Sequence, residues 1–214
     1  MTRKLLAAAA ALLLLPTFAL AEDPRPAAPQ WSIGAGLVGN TTYILGTASS
    51  LGTGLTGPGL LGASASLERS LGGGRWLVLG LSLQAERSRD DAGLVTRDDL
   101  VSTEVRGGVR FALTERGAPV EVSALLLADV GAAHTRVDQE GSSQSQDLAW
   151  LGASAGLAVE RELVSNLAVR LSSPVISLTG AHTSTHVAGS PSFDGSTIAF
   201  GVALRPTLEL RLAF

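Results

Sequence analysis

TIAFGVALRPTLELRLAF, Thr197 to Phe214, alternates apolar and polar residues without a break until the chain stops. Ile198, Phe200, Val202, Leu204, Pro206, Leu208, Leu210, Leu212 and Phe214 fall on one parity. Thr197, Ala199, Gly201, Ala203, Arg205, Thr207, Glu209, Arg211 and Ala213 fall on the other. Successive side chains of a strand point to opposite faces, so a period of two reads as one strand with an apolar and a polar face. At ~3.3 Å per residue this strand far exceeds the usual length in a soluble sheet and is long enough to cross a bilayer obliquely.

The same period runs back through the chain. Trp31 to Val38 sets Trp31, Ile33, Ala35 and Leu37 against Ser32, Gly34 and Gly36. Leu60 to Arg69 sets Leu61, Ala63, Ala65 and Leu67 against Gly62, Ser64, Ser66 and Glu68. Beyond a turn at Gly72-Gly73-Gly74, a third strand carries Leu77, Leu79, Leu81 and Leu83 opposite Val78, Gly80, Ser82, Gln84 and Glu86. A fourth, Leu100 to Thr114, places Val101, Val105, Val109, Phe111 and Leu113 opposite Ser102, Glu104, Arg106, Gly108 and Arg110. A fifth starts at Val120 with Glu121 and Asp129 on its polar side, a sixth covers Leu151 to Glu160, and a seventh covers Leu167 to Leu178. With the terminal stretch, that makes about eight strands. The turns after the second, fourth and sixth are tight. A loop follows the first strand, and Ser88–Asp99, Thr135–Gln146 and Thr179–Ser196 also read as long loops. Tight turns at one end and long loops at the other predict an all-β, antiparallel, up-and-down transmembrane barrel, and an even count puts both termini on the periplasmic side.

Composition bounds the rest. The 214 residues suit one domain, and a net charge of -3 gives no basic bias toward nucleic acid. With no cysteine, disulfides and thiolate metal sites are excluded. Met1 to Ala21 has Arg3 and Lys4, an apolar core from Leu5 to Leu15, and the small-residue site Ala19-Leu20-Ala21, the plan of a cleaved secretory signal. Maturation is expected before Glu22, followed by an extended leader over 22–30 and the barrel over 31–214.

Alternation alone does not say which face is wet, since a soluble lipocalin-like barrel has the same period. Here the polar face is half Gly, Ala and Ser, which suits the crowded interior of a small barrel. Every basic residue after the signal is arginine, suited to enclosed pairing with carboxylates. Counted from the tight-turn end, Glu68, Arg110, Glu121, Arg170, Glu209 and Arg211 fall in a lower layer. Glu86, Glu104, Arg106, Asp129 and Arg205 fall near mid-height, beside Gln84. On the lipid face such arginines would each cost ~2–4 kcal/mol at the midplane, whereas in near-neutral enclosed layers they are paired. The expectation is a barrel plugged by its own side chains, with no open pore.

The signal segment, the amphipathic strands, the turn asymmetry and the terminal Leu210, Leu212 and Phe214 together resemble the small OmpA-like and OmpX-like outer-membrane barrels. The resemblance implies a monomer in the outer membrane of a Gram-negative bacterium, in contact with lipid and lipopolysaccharide. It also implies insertion by the barrel-assembly machinery, which reads the terminal aromatic signal, and no cofactor. Two departures stand out. Aromatic residues are only 4%, so the interfacial girdle is thin, with Trp31, Trp150, Phe111, Phe200 and Phe214 expected in it. No peptidoglycan-binding domain follows the barrel, so tethering to the wall is not expected.

His134, His182 and His186 all fall at the loop end. His182, His186 and Asp194 are candidate metal ligands, but a loop of Ser, Thr and Gly gives them no framework, and no metal site is expected. His182-Thr183-Ser184 is similar to the His-x-Ser of outer-membrane lipid A deacylases, in which a histidine base activates a serine. The orienting Glu is missing here, with Asp194 a loose stand-in. Pro174 and Pro206 lie at similar depth in neighbouring strands, where proline cannot donate to the ladder, so a local gap is expected there. Lipid-modifying barrels of the palmitoyltransferase kind admit lipid sideways through such gaps. The leading expectation is a non-enzymatic envelope barrel acting through its external loops. The alternatives are a lipid-acting enzyme at His182 and Ser184, and a narrow channel for small hydrophobic molecules leaving at Pro174 and Pro206.

Overall fold

The structure, a computed structural model, describes residues 30–39, 42–46, 62–90, 96–115, 118–139 and 142–214, without the side chains of 42–46, 86–90, 96–98, 139 and 203. The expected signal segment 1–21 and the leader before Gln30 lie outside the described residues.

The described strands are β1 (Trp31–Val38), β2 (Thr42–Gly46), β3 (Gly62–Gly72), β4 (Arg75–Asp90), β5 (Thr96–Ala112), β6 (Glu121–Gln139), β7 (Ser142–Val164), β8 (Leu167–Val187), β9 (Phe193–Leu204) and β10 (Thr207–Ala213). Neighbours from β3 to β9 pair in sequence order, all antiparallel. β10 pairs with β1 on one side and β8 on the other, so the sheet closes on itself. Because β2 pairs with β9 where β1 pairs with β10, β1 and β2 share the first position of the ring and β9 and β10 the last. The ring thus has eight positions. The terminal strand, read as unbroken from its alternation, is interrupted at Arg205 and Pro206, although its side chains keep their parity. The tight turns need left-handed backbone: Gly72, Gly73 and Gly74 have φ of 79, 58 and 70°, and Asn166 turns β7 into β8 at 72°.

Burial runs opposite to that of a soluble domain. Glu68, Glu104, Arg110, Arg170, Glu209 and Arg211 are buried, while Leu79, Leu81, Val105, Leu126, Leu178 and Leu210 are exposed. A lipocalin-like arrangement with an apolar interior and a charged exterior is therefore excluded. On β6 the outward residues Val122, Ala124, Leu126, Ala128, Val130 and Ala132 are all apolar. Ten steps at ~3.3 Å, tilted by ~40°, make a band about 25 Å tall, the lipid-facing height of a transmembrane barrel.

The connections at the far end are shorter than their composition suggests. β4 reaches Asp90 before β5 starts at Thr96, β6 reaches Gln139 before β7 starts at Ser142, and β8 reaches Val187 before β9 starts at Phe193. The expected loops Ser88–Asp99, Thr135–Gln146 and Thr179–Ser196 are mostly strand, and the first expected loop contains β2. Beyond the apolar band the described outward faces of these strands turn polar, with His134, Arg136 and Asp138 on β6 and Asp147 and Ser145 on β7, so the ladder continues after the outer apolar stripe has ended.

Candidate functional site

The antiparallel register brings the inward charges to common depths. In the lower cluster Glu68, 1% exposed, sits among three guanidinium groups. Arg110 donates to it from Nε at 3.2 Å and Nη2 at 3.0 Å, and Arg170 from Nη2 at 3.2 Å, with a closer contact between Arg170 Nη1 and Oε1. Arg211 Nη1 stands 2.8 Å from Oε1 as an ion pair rather than an aligned hydrogen bond. Glu160 closes the cluster, accepting from Arg170 Nε at 2.7 Å and facing Arg211 Nε at 3.6 Å. Arg110 also donates to Ser123 and lies 3.7 Å from the centroid of the inward Trp76 ring. Glu209 accepts from Ser66 at 3.1 Å, and Glu121 occupies the inward position opposite Glu160. Glu160 was not among the residues assigned to a layer. Its register partner across the hairpin is Arg170, a pairing that depends on where the turn at Asn166 falls.

The upper cluster centres on Glu104. Arg106 Nε is 2.9 Å from it, Arg205 Nη1 contacts its other oxygen, and Arg205 Nη2 donates to Ser82 at 3.3 Å. Ser102 donates to Gln84 at 3.3 Å beside this cluster. Glu86 belongs to β4, but its side chain lies outside those described. Asp129 and Trp150 hold successive inward positions of the β6–β7 pairing, Asp129 opposite Gly152 and Trp150 opposite Gly131. Trp150 is therefore a lumen residue and leaves the expected interfacial girdle. It covers Gly131, where any Cβ would overlap the indole, and packs with Leu100, Ala133 and Leu148 in an apolar cap above the charges. Between the two charge clusters lies a cavity of about 40 Å³, lined among others by Ser64, Ser66, Arg106, Leu125, Thr207 and Glu209. That is room for a few water molecules at most.

Pro174 and Pro206 meet at a seam. β8 pairs with β10 up to Ser172 and with β9 from Ile176, and Val175 is an extra residue opposite the Ala155–Gly156 step of β7. Across this seam Ser173 Oγ accepts the Arg205 backbone N–H at 2.9 Å and donates to the Pro174 carbonyl at 2.8 Å. The Pro206 carbonyl accepts from Gly39 at 2.7 Å, between β1 and β2. A side chain here replaces ladder bonds that proline cannot make. Ser173→Ala is expected to leave the Arg205 N–H unpaired and to speed amide exchange around residues 203–207 about tenfold relative to the other strands.

The histidines sit on the outer face above the apolar band. His134 Nδ1 is 2.7 Å from Asp147, while His182 engages Ser196 at 3.2 Å. Ser184 lies 3.4 Å from His186 Nε2, and His186 Nδ1 is occupied by Ser192 at 2.8 Å. His182 and Ser184 are not joined as base and nucleophile, and Asp194, opposite Ser184 in register, orients neither ring by any hydrogen bond among the described residues.

No protein-family model matches the chain, and no curated protein matches it. Solved structures do. A major outer membrane protein from Thermus thermophilus is similar at TM-score 0.51 and 12% identity, over 86% of this chain and 98% of that one. Ail, the attachment invasion locus protein of Yersinia pestis, aligns at TM-score 0.47 and 14% identity, over 85% and 97%. Neisserial surface protein A aligns at TM-score 0.45 and 12% identity, over 88% and 100%. At these identities the likeness is one of fold. Closed ring, outward apolar band and the first of these likenesses define a small β-barrel of the outer-membrane kind.

Proposed function

We propose that this protein is a monomeric, non-enzymatic outer-membrane barrel whose lumen is closed by its own ion pairs and whose hairpin end is offered to surface partners or to envelope integrity. The observation that carries the reading is Glu68, a buried carboxylate shared by Arg110, Arg170 and Arg211 across the full width of the lumen. A charge so enclosed is held only where its partners close around it, which blocks the passage as it satisfies the charge. Outer-membrane lipid and lipopolysaccharide would contact the apolar band and the polar belt above it. The exposed Leu210, Leu212 and Phe214 suit recognition by the barrel-assembly machinery during insertion, with both termini periplasmic. A non-catalytic role is supported by the separation of His182 from Ser184 and by the capped Nδ1 of His186.

Boiled and unboiled envelope fractions test the reading on one gel, and the purified protein tests the plug in a planar bilayer. The expected results are a heat-modifiable band in the outer membrane and no stepwise conductance. Recovery from the soluble periplasm would overturn the membrane assignment, and steady unitary currents would overturn the plug.

The seam favours a second reading, lateral access for a lipid tail or small hydrophobic molecule, because the ladder there rests on one serine hydroxyl. If Ser173→Ala loosens the seam without changing uptake or lipid composition, the seam is structural only.

A further inference from the structure

We propose that the end of the barrel bearing Trp31 and Phe214 is a docking rim for anionic glycerophospholipid headgroups, formed by Arg69, Arg75 and Arg161. The proposal rests on the membrane reading above. Arg69 shares a face with outward Leu67, Arg75 with outward Leu77, and Arg161 with outward Val159. Among the described outward strand residues near the tight turns, these three arginines are the only charged ones. Glu162 follows the inward parity at the lumen mouth, and Glu115 belongs to a turn.

The Arg69 guanidinium lies 5.3 Å from the centroid of Trp31, which fixes it at the height of an interfacial aromatic. Phe111 is the register partner of Arg75, and Trp31 and Phe214 exchange backbone hydrogen bonds of 3.0 and 2.9 Å, so the aromatics border the same rim. A planar guanidinium presents a fork to phosphate oxygens, and glycerophospholipid phosphates lie at the depth of such aromatic belts. Among the described outward side chains of the opposite rim, Asp99, Asp138, Asp147 and Asp194 are acidic, and Arg136 is bound to Asp138 at 3.0 Å. Each arginine close to an anionic lipid surface shifts partition about fivefold.

Trp31 makes the contact measurable, since Trp76 and Trp150 face the lumen. The full-length protein is inserted into vesicles in which brominated phosphatidylglycerol or brominated phosphatidylcholine quenches tryptophan fluorescence, and the relative binding of the two lipids is read from the quenching. The expected preference for phosphatidylglycerol is about fivefold or more. It should fall close to one in Arg69→Gln/Arg75→Gln/Arg161→Gln and persist in Arg69→Lys/Arg75→Lys/Arg161→Lys. Equal quenching in the wild type, or a preference unchanged in the glutamine variant, overturns the rim. Loss of the preference to soluble glycerol phosphate at matched concentration would assign the site to free phosphate and overturn the lipid assignment. Failure to insert, seen as no heat-modifiable band, would count against the membrane reading itself, whereas insertion without preference counts against the rim alone.

Discussion

Glu68→Gln is expected to lower the free energy of unfolding by about 3–5 kcal/mol, the usual cost of removing one member of a buried charge cluster. Neutralising Glu68 leaves Arg110, Arg170 and Arg211 facing one another, with Glu160 reaching only Arg170 at 2.7 Å and Arg211 at 3.6 Å. None of the three can turn to water without unpacking the lumen. The cost therefore lies in the arginines left behind, and it should shrink when one of them is also removed. Glu68→Gln/Arg110→Gln is expected to recover part of the loss, although Arg110 also surrenders Ser123 and its contact with Trp76. Urea titration in phospholipid vesicles, read by gel mobility, measures both. A loss below about 1 kcal/mol for Glu68→Gln would place the cluster with exposed ion pairs and end its role as plug.

Trp150→Ala is expected to cost about 3 kcal/mol, the low end of the range for emptying a large side chain, because the indole is partly buried against Leu100 and Ala133. A tryptophan in a lipid-facing girdle would give a smaller loss dependent on lipid thickness. The position is separable by a double-mutant cycle with Gly131→Ala. Alone, that change drives a methyl group into the indole, but in the Trp150→Ala background the space is free. Strong coupling between the two is expected, and additive effects would move Trp150 out of the lumen.

The spanning part of the fold was legible because lipid on one side and a crowded lumen on the other keep the period of two. The alternation of the terminal stretch marked Thr197, Ala199, Gly201, Arg205, Thr207, Glu209 and Arg211 as one face, and these are the residues turned from the lipid. Arg205 and Glu104 could be matched by depth because the side chains keep their parity through the break at Arg205 and Pro206, so Arg205 still reaches Glu104 in the lumen. Trp150 could not, because the upper lumen is apolar, so hydrophobicity ceases to mark the outside there. The hairpins were hidden for the opposite reason: with water on both faces, Thr135 to Gln146 has no apolar stripe to betray its ladder. The breaks at Gly39 and Pro206 and the extra residue Val175 are matters of register, and the prolines signalled two of these three places. His134, Asp147 and His186 gather from β6, β7 and β8, and no local spacing encodes that meeting.

The hairpins that run past the apolar band also bear on how this protein can change. From Ala132 to Gln139, β6 rises seven residues, about 18 Å at the same tilt, and its neighbours rise with it. A stiff palisade of that height sets a stand-off between the membrane surface and whatever approaches the tips. It also insulates the two ends from each other. Insertions and substitutions at the tips are separated from the charged lumen by several rungs of backbone bonding, so new surface specificities can be tried there while the closed barrel below stays as it is.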